Sequence, residues 1–222
     1  MIVAARNEAD RVGATLNALK QAFPEAPLWV ADDASDDDTS ETAIAHGAQV
    51  VSRRRPHGKG GNVTAAAEAA LGDEPVPELA LLCDADLAGS AMELPALVAA
   101  VEDGSCDLAV AAFASRVGGG FGIALGFARW AIERRSGYRA QAPISGQRAI
   151  RTDLLRDLLP FASGYGMEIG MTIDAVRSGH RVREVELDLS HRATGRSPRD
   201  FVHRGRQLFD FVRVWWSRRK PG

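Results

Sequence analysis

Two aspartates, Asp84 and Asp86, follow a short apolar run and stand two positions apart. The run, Leu79–Cys83, has polar residues on both sides, which predicts a buried strand that ends just before the first aspartate. Carboxylates with this spacing at a strand end can share one ligand complex, one reaching a ribose while the other holds a cation. Mg²⁺ or Mn²⁺ prefers one or two carboxylates with phosphate oxygens and water, and it would neutralise a departing diphosphate. A surface turn without a ligand is the alternative interpretation of so short a motif.

A second acidic segment, residues 32–38, contains five aspartates and follows the predicted strand Leu28–Asp32. An acidic side chain at such a strand end can accept hydrogen bonds from a base or a ribose. The alternative is an exposed turn in which Asp36 or Asp37 caps the next helix. We assign Asp33 to the ligand and the later aspartates to solvent and capping.

A glycine-rich segment with one lysine, His57–Asn62, lies between a predicted strand and a predicted helix. Its glycines would let backbone amides approach a phosphate, and the helix N-terminus would add partial positive charge. Lys59 would add a full charge. The spacing differs from that of a Walker loop, and a flexible loop without a ligand is the alternative.

Two further positions carry groups that could act on a substrate. Glu168 precedes an apolar helix, where it could be a helix-start carboxylate without a chemical role, or could face the acceptor as a base or hydrogen-bond acceptor. After the last predicted strand, His191 could complete a metal site, while Arg192 and Arg196 could hold a phosphate in bidentate fashion. A single histidine at such a position can equally be structural or exposed.

Short apolar runs alternate with helical periods along the chain, and this alternation predicts the elements that position these groups. The predicted strands are Met1–Ala5, Leu28–Asp32, Ala48–Ser52, Leu79–Cys83, Leu108–Phe113, Ile144–Ile150 and Arg181–Leu189. The predicted helices are Glu8–Phe23, Asp37–His46, Gly61–Leu71, Ala91–Glu102 with Ser90 as its cap, Gly122–Arg135, one from Thr152, Met167–Ser178 and Arg199–Ser217.

This order predicts an α/β domain with a Rossmann-like, mostly parallel sheet flanked by helices on both faces. Such sheets bind ligands at the carboxyl ends of their strands. The polar segments that follow the first four strands would therefore meet at one edge, and we expect a binding site there.

The composition is that of a soluble domain with one core, since 222 residues at 45% hydrophobic are too few for two large cores. No apolar stretch is long enough to span a membrane and no signal-type segment opens the chain, so we expect a cytoplasmic protein. Cys83 and Cys106 stand in apolar runs and are expected to be reduced core residues. Nothing in the motifs favours nucleic acid as a partner.

Charge is distributed unevenly, because residues 191–222 contain nine Lys/Arg against two Asp. A basic segment suits phosphates or an anionic membrane surface. The predicted helix Arg199–Ser217 is amphipathic, with Phe201, Leu208, Val212 and Trp215 on one stripe and arginines elsewhere. It could make peripheral membrane contact at the inner face, or it could dock on the domain or on a second subunit in a homodimer.

Taken together, the motifs resemble family 2-type glycosyltransferases with the GT-A fold. The order Ala5-Arg6-Asn7-Glu8, Asp32-Asp33-Ala34-Ser35, Gly58-Lys59-Gly60 and Asp84-Ala85-Asp86 matches over nearly the whole chain. The resemblance implies that the first two groups contact the nucleotide of a nucleotide-sugar donor, that Lys59 lies near the phosphates, and that Asp86 holds the metal. Ala34 and Asp38 depart from the pattern, each at a position where glycine is usual.

The motifs of the second half resemble two subfamilies, which use different acceptors. The segments Ser145–Arg148, which includes Gly146, and Gly164–Gly170, followed by His191, resemble glucosyl-3-phosphoglycerate synthases, in which the histidine is a metal ligand. Residues 192–197 equally resemble the Arg-x-x-Gly-x-Ser motif of polyprenyl-phosphate glycosyltransferases. Either resemblance implies a phosphate-bearing acceptor, bound through Gly146, Arg192 and Arg196.

The sequence hypothesis is thus a metal-dependent glycosyltransferase with one GT-A domain at residues 1–190. Residues 1–113 would form its nucleotide-sugar-binding half and 114–190 its acceptor half, with a basic loop and amphipathic helix at 191–222. A nucleotidyltransferase is the alternative enzyme, although it would need a glycine-rich loop where Arg6–Glu8 stands. A non-catalytic nucleotide-sugar-binding protein is the other alternative.

Overall fold

The computed structural model of the protein describes residues 1–113, 122–189 and 209–219, and these form a seven-stranded sheet covered by helices. Along the sheet the strand order is β3-β2-β1-β4-β6-β5-β7. The strands are β1 (Ile2–Ala5), β2 (Trp29–Asp32), β3 (Gln49–Ser52), β4 (Leu79–Asp84), β5 (Leu108–Phe113), β6 (Arg148–Arg151) and β7 (Val182–Leu187).

All the pairings within the sheet are parallel except those of β6, which runs antiparallel to β4 and β5. The mostly parallel sheet expected from the sequence is therefore confirmed. Ala4 is in register with Asp84, and Ala5 with Asp32. The carboxyl ends of β1, β2 and β4 thus lie level at one edge of the sheet.

Helices cover both faces of the sheet, and each face has its own core. Leu16 and Leu97 belong to the core on one face, Val63 and Leu154 to the core on the other. The helices are α1 (Val12–Ala22), α2 (Thr39–Ala45), α3 (Gly58–Leu71), α4 (Pro95–Glu102), α5 (Gly122–Ser136), α6 (Thr152–Leu158), α7 (Met167–Arg177) and α8 (209–217). A third cluster joins α5, α7 and α8 through Ile132, Ile173 and Phe211.

Several element boundaries differ from the sequence prediction; α1, for example, begins at Val12 rather than at Glu8. The stretch predicted as one helix from Ala91 divides into a 3-10 helix, Ala88–Glu93, and α4, which starts at Pro95. Pro95 is well placed at the first turn of a helix because it has no amide to satisfy. Ser90 lies inside the 3-10 helix, so its assignment as the cap of α4 was wrong. The strand expected from Ile144 begins only at Arg148.

Both cysteines are buried free thiols, as predicted. Burial, reinforced by the nearby Asp84 carboxylate, raises the pKa of Cys83 to about 12, so this side chain stays protonated at neutral pH. Within the described ranges, none of the helices has the length and apolar character needed to cross a membrane.

Candidate active site

The polar strand ends predicted from the sequence come together where the strand order reverses. β1 has β2 on one side and β4 on the other, and the segments that follow β1 and β4 pack together on one face of the sheet, which keeps their polar residues side by side at its edge. Two segments from the second half of the chain close this edge: the loop before β6 and the first turn of α7. The site therefore draws on both predicted halves.

Lys59 lies at the centre of the site, between two carboxylates. Its Nζ is 2.6 Å from Asp84 Oδ1 and 2.8 Å from Glu168 Oε1. Glu168 is 4% exposed, so its ion pair with Lys59 is shielded from water, whereas the Asp84 side chain is partly exposed. Burial lowers the pKa of Lys59, but the charges of Asp84 and Glu168 raise it more strongly, and the net pKa lies above its ordinary value. Lys59 is therefore a permanent cation that two carboxylates share.

The second oxygen of Asp84 is held by the loop that precedes β6. Gln147 Nε2 donates to Asp84 Oδ2 at 2.9 Å, and Ser145 Oγ donates to Gln147 Oε1 at 3.0 Å. Gly146, between these two residues, passes so close that a Cβ there would collide with Lys59 Nζ and Asp84 Oδ2. Glycine at this position therefore lets the loop reach the carboxylate.

Asp33 is buried at the end of β2 and connects it to the start of α3. Its carboxylate accepts hydrogen bonds from the amides of His57 at 2.7 Å and Gly58 at 3.1 Å, and Arg6 Nη1 lies 3.6 Å away. The sequence suggested that the amides of this segment would face a phosphate. Two of them instead bind Asp33, which explains why α3 begins at Gly58 rather than at Gly61.

The segment after β1 is tied to the acidic segment after β2. The amide of Asn7 donates to Ser35 Oγ at 2.9 Å, and Asn7 Oδ1 accepts from the amide of Asp36 at 2.8 Å. The Glu8 amide donates to Thr39 Oγ1 at 2.9 Å. Ala34 has a φ of 56°, in the left-handed region, which explains why glycine would suit this position.

Asp86 follows β4 in a turn. Hydrogen bonds from α1, and from the residue just before α1, hold the backbone of this turn in place. Arg11 Nη1 donates to Asp86 O at 3.1 Å, and Thr15 Oγ1 donates to Ala85 O at 2.6 Å. Ala85 is itself buried, and its amide donates to Ala4 O at 3.0 Å. The Asp86 side chain is only half-buried, so the turn presents a carboxylate at the sheet edge.

Three of the predicted site residues, His191, Arg192 and Arg196, lie outside the described residues. Within 1–113, 122–189 and 209–219, no three His, Cys, Asp or Glu side chains come together as a ready-made metal cluster. The structure brings Ala5, Arg6, Asn7, Glu8, Asp33, Lys59, Asp84, Ala85, Asp86, Gly146 and Glu168 to the same edge of the sheet.

Four residues that hold these groups in place were given no role from the sequence: Arg11, Ser145, Gln147 and Arg148. Arg148 is fully buried, and its Nε donates to Ser145 O at 2.9 Å. The family resemblance identified the motif Ser145–Arg148 as part of the acceptor site. Its spacing alone, however, does not predict which of its side chains contacts Asp84. Arg11 carried no signal because helix-surface arginines are common.

The sequence is similar to known members of one protein family. The sequence profile of glycosyl transferase family 2 matches residues 1–159. An undecaprenyl-phosphate mannosyltransferase of Micrococcus luteus is 30% identical over 217 residues, which cover 88% of this chain and 85% of that protein. A glucosyl-3-phosphoglycerate synthase of Mycolicibacterium paratuberculosis is 30% identical over 199 residues, covering 78% of this chain and 58% of the synthase.

Solved structures give the same picture of the fold. The glucosyl-3-phosphoglycerate synthase of Mycobacterium tuberculosis in complex with phosphoglyceric acid superposes with a TM-score of 0.80 at 27% identity, covering 98% of this chain and 78% of the synthase. A complex of that synthase with Mn²⁺, UDP and glucosyl-3-phosphoglycerate gives a TM-score of 0.79 at 26% identity, with the same coverage. The GT-A fold expected from the motifs is thereby confirmed.

Proposed function

The chain belongs to glycosyl transferase family 2, and we propose that it transfers a sugar from a UDP- or GDP-sugar to an acceptor that carries a phosphate. The observation that carries this proposal is the grouping of Asp84, Lys59 and Glu168 beside Asp86 at the carboxyl end of β4. Two similar proteins support the acceptor class, since one is named for undecaprenyl phosphate and the other for 3-phosphoglycerate.

The nucleoside of the donor would lie over the ends of β1 and β2. Ala5, Arg6, Asn7 and Glu8 border this edge from one strand and Asp33 from the next. Arg6 is half exposed and lies beside Asp33, so its guanidinium is available to a base or ribose while Asp33 keeps its hydrogen bonds to α3. The superposed synthase is in complex with UDP, which supports a nucleoside diphosphate as the carrier of the donor sugar.

Asp86 fits the role of ligand for Mg²⁺ or Mn²⁺. Its backbone is anchored by Arg11 and its side chain is half-buried at the sheet edge. One carboxylate suffices, because Mg²⁺ keeps several waters and takes further oxygens from substrate phosphates. When bound there, the cation would stabilise the charge on the leaving diphosphate. His191 remains the proposed second ligand.

The remaining groups would orient the two substrates. Asp84 and Glu168 offer carboxylate oxygens to hydroxyl groups, and Lys59 holds them at a fixed separation. Glu168 lies in the first turn of α7, in the proposed acceptor half, and we assign it to acceptor positioning. Gly146, Arg192 and Arg196 would bind the acceptor phosphate. If the acceptor is a polyprenyl phosphate, its phosphate oxygen is already a nucleophile, so that transfer would require no general base.

A lipid acceptor receives support from an exposed apolar surface on α5 and α8. We call it the aromatic surface and define it as Trp130, Phe209, Val212 and Trp216, which are 47%, 69%, 41% and 56% exposed. Trp130 packs on Trp215 with their ring centroids 5.2 Å apart. Arg135 and Arg219 stack on Trp215 and Trp216, so cations border the surface.

Tryptophan and arginine together favour the interface of an anionic membrane. The surface also lies near the site, because the Asp210 carboxylate of α8 accepts a hydrogen bond from the amide of Tyr165, just before α7. We therefore propose that the protein contacts a membrane through the aromatic surface and draws a polyprenyl phosphate from it. A soluble phosphoglycerate is the second candidate, supported by the superposition over 98% of this chain.

The first experiment is a thermal-shift panel of UDP- and GDP-sugars, each with Mn²⁺ and with a chelator. A ligand that binds only the folded state raises the melting temperature by mass action. A metal-dependent shift with one donor identifies that donor, which is then incubated with a short-chain polyprenyl phosphate or with 3-phosphoglycerate. Mass spectrometry of the products distinguishes the two acceptors. Binding without transfer to either acceptor would favour a non-catalytic nucleotide-sugar-binding protein.

A further inference from the structure

Arg148 is a charged side chain in an unusual place. It is 0% exposed at the start of β6, and within the described residues no carboxylate forms an ion pair with it. Burial lowers its pKa to about 10, although Glu168, Glu184 and Tyr138 oppose the shift. A buried guanidinium without a carboxylate partner is costly, and a leucine or methionine would fill a core position at a lower free energy. The position of Arg148 therefore points to a role beyond packing.

One side of the guanidinium holds the loop that reaches Asp84. Arg148 Nε donates to Ser145 O at 2.9 Å, which fixes the backbone two residues ahead of Gln147. Ser145 Oγ donates to Gln147 Oε1 at 3.0 Å, and Gln147 Nε2 donates to Asp84 Oδ2 at 2.9 Å. Three successive hydrogen bonds thus connect Arg148 to a carboxylate at the active site.

The other side of the guanidinium holds the helix that carries Glu168. Arg148 Nη1 donates to Thr172 Oγ1 at 3.1 Å, and Thr172 Oγ1 donates to Glu168 O at 3.0 Å, one turn earlier in α7. The Glu168 carboxylate pairs with Lys59, which pairs with Asp84. The two routes from Arg148 therefore meet and close a ring of seven residues.

We propose that Arg148 is a positioning residue that sets the separation of Asp84 and Glu168 around Lys59 by holding both of their supports at once. We call this closed set the Arg148 ring, and its members are Arg148, Ser145, Gln147, Asp84, Lys59, Glu168 and Thr172. The importance of that separation for transfer rests on the proposed function, whereas the coupling within the ring does not. A lysine could not replace Arg148, because a single ammonium lacks the rigid fork that reaches two acceptors in different directions.

Lysine labelling tests the coupling without any substrate. The chain contains three lysines, Lys20, Lys59 and Lys220, so acetylation of each is resolved by peptide mass spectrometry. Exposed Lys20 serves as the internal reference. We expect Thr172→Val, which keeps the side-chain shape but removes the hydroxyl, to raise the labelling rate of Lys59 relative to Lys20 about fivefold. Arg148→Lys should do the same.

The matched control is Arg151→Lys, because Arg151 is half exposed on the same strand and pairs with nearby Asp153 rather than with a member of the ring. It should leave Lys59 labelling unchanged. Equal labelling of Lys59 in wild type and a folded Thr172→Val variant would overturn the proposal. Because Thr172→Val preserves the packing, the test stands even if substitution of Arg148 prevents folding.

Turnover then separates positioning from binding, with whichever donor the thermal-shift panel identifies. Arg148→Lys and Thr172→Val should lower kcat about tenfold and change the Kd of the nucleoside diphosphate with Mn²⁺ by less than about threefold, because Arg6, Asn7 and Asp86 of the proposed donor site lie outside the ring and only Lys59 and Asp84 belong to both. If kcat, nucleotide affinity and melting temperature all fell together, Arg148 would be a structural residue and not a positioning residue. Absence of transfer by the wild type would contradict the proposed function and leave the labelling result standing.

Discussion

Asp33, at the end of β2, accepts a hydrogen bond from the amide of Gly58, the first residue of α3, at 3.1 Å. This contact makes a carboxylate from one strand the cap of a helix 25 residues later in the chain. Because Lys59 is the next residue of that helix, Asp33 also determines where Lys59 enters the site. The acidic segment and the lysine segment are therefore one structural unit.

Asp33→Ala should lower the free energy of unfolding by about 2 kcal/mol, because two amides at the start of α3 lose their acceptor. Urea unfolding measures the change. Asp38→Ala is the control, since Asp38 precedes α2 but its side chain makes no capping hydrogen bond. The control should stay within about 0.5 kcal/mol of wild type. Equal stability of the two variants would argue against the capping role.

Gly146→Ala should lower kcat about 100-fold, because the added methyl group must displace Lys59 or Asp84 and small displacements of reacting groups are costly. Steady-state kinetics with the donor identified by thermal shift measures it. Gly126→Ala is the control, because a Cβ at this exposed position on α5 meets nothing within 4 Å. It should keep full activity and gain stability by about 0.5–1 kcal/mol. Full activity of Gly146→Ala would contradict the close approach of Gly146 to Lys59 and Asp84.

Lys59→Gln should lower the free energy of unfolding by about 3 kcal/mol near neutral pH, because Asp84 and Glu168 lose the cation between them. The pKa of Lys59 is raised above its ordinary 10.5, so its contribution is complete below 10.5 and is lost only as pH rises through the higher folded value. Urea unfolding of both proteins at pH 7, 8.5 and 10 should give the same difference. A difference that shrinks between pH 7 and 8.5 would mean that the lysine titrates there.

Asp86→Asn should lower metal-dependent turnover at least about 100-fold and leave the melting temperature unchanged, because only the proposed cation ligand is altered. A chelator should have the same effect on the wild type. Asp157→Asn, at an exposed position on α6, should behave like wild type. Turnover of Asp86→Asn at the wild-type rate with Mn²⁺ would exclude Asp86 as the ligand.

Removal of two tryptophans from the aromatic surface, Trp130→Ala with Trp216→Ala, should weaken binding to vesicles containing phosphatidylglycerol at least about tenfold, since each buried aromatic contributes about 1.5–3 kcal/mol. Co-sedimentation measures the bound fraction. Ile44→Ala removes an equally exposed apolar side chain from α2 and should have no effect. If the wild type ignores vesicles and forms dimers that the double variant abolishes, the surface is a subunit interface instead.

Three positions show which features the sequence could predict and which it could not. The apolar run 79–83 followed by Asp84 predicted both the strand β4 and its polar end, because burial and strand termination are local properties. Ala34 was identified as a departure where glycine is usual, and its positive φ gives the reason. By contrast, nothing in the sequence indicated that the Arg148 guanidinium donates hydrogen bonds to both Ser145 and Thr172, since these two partners lie on different elements.

The sequence by itself determined the order of strands and helices, the mostly parallel sheet and the carboxyl edge as the place of the site. Periodicity and polar strand ends encode these features within short stretches of chain. Only the tertiary structure decided that Asp33 caps α3, that Lys59 forms ion pairs with both Asp84 and Glu168, and that Gln147 holds Asp84. The physical reason is that each of these contacts joins residues 24 or more positions apart, and sheet register and helix packing set their separation.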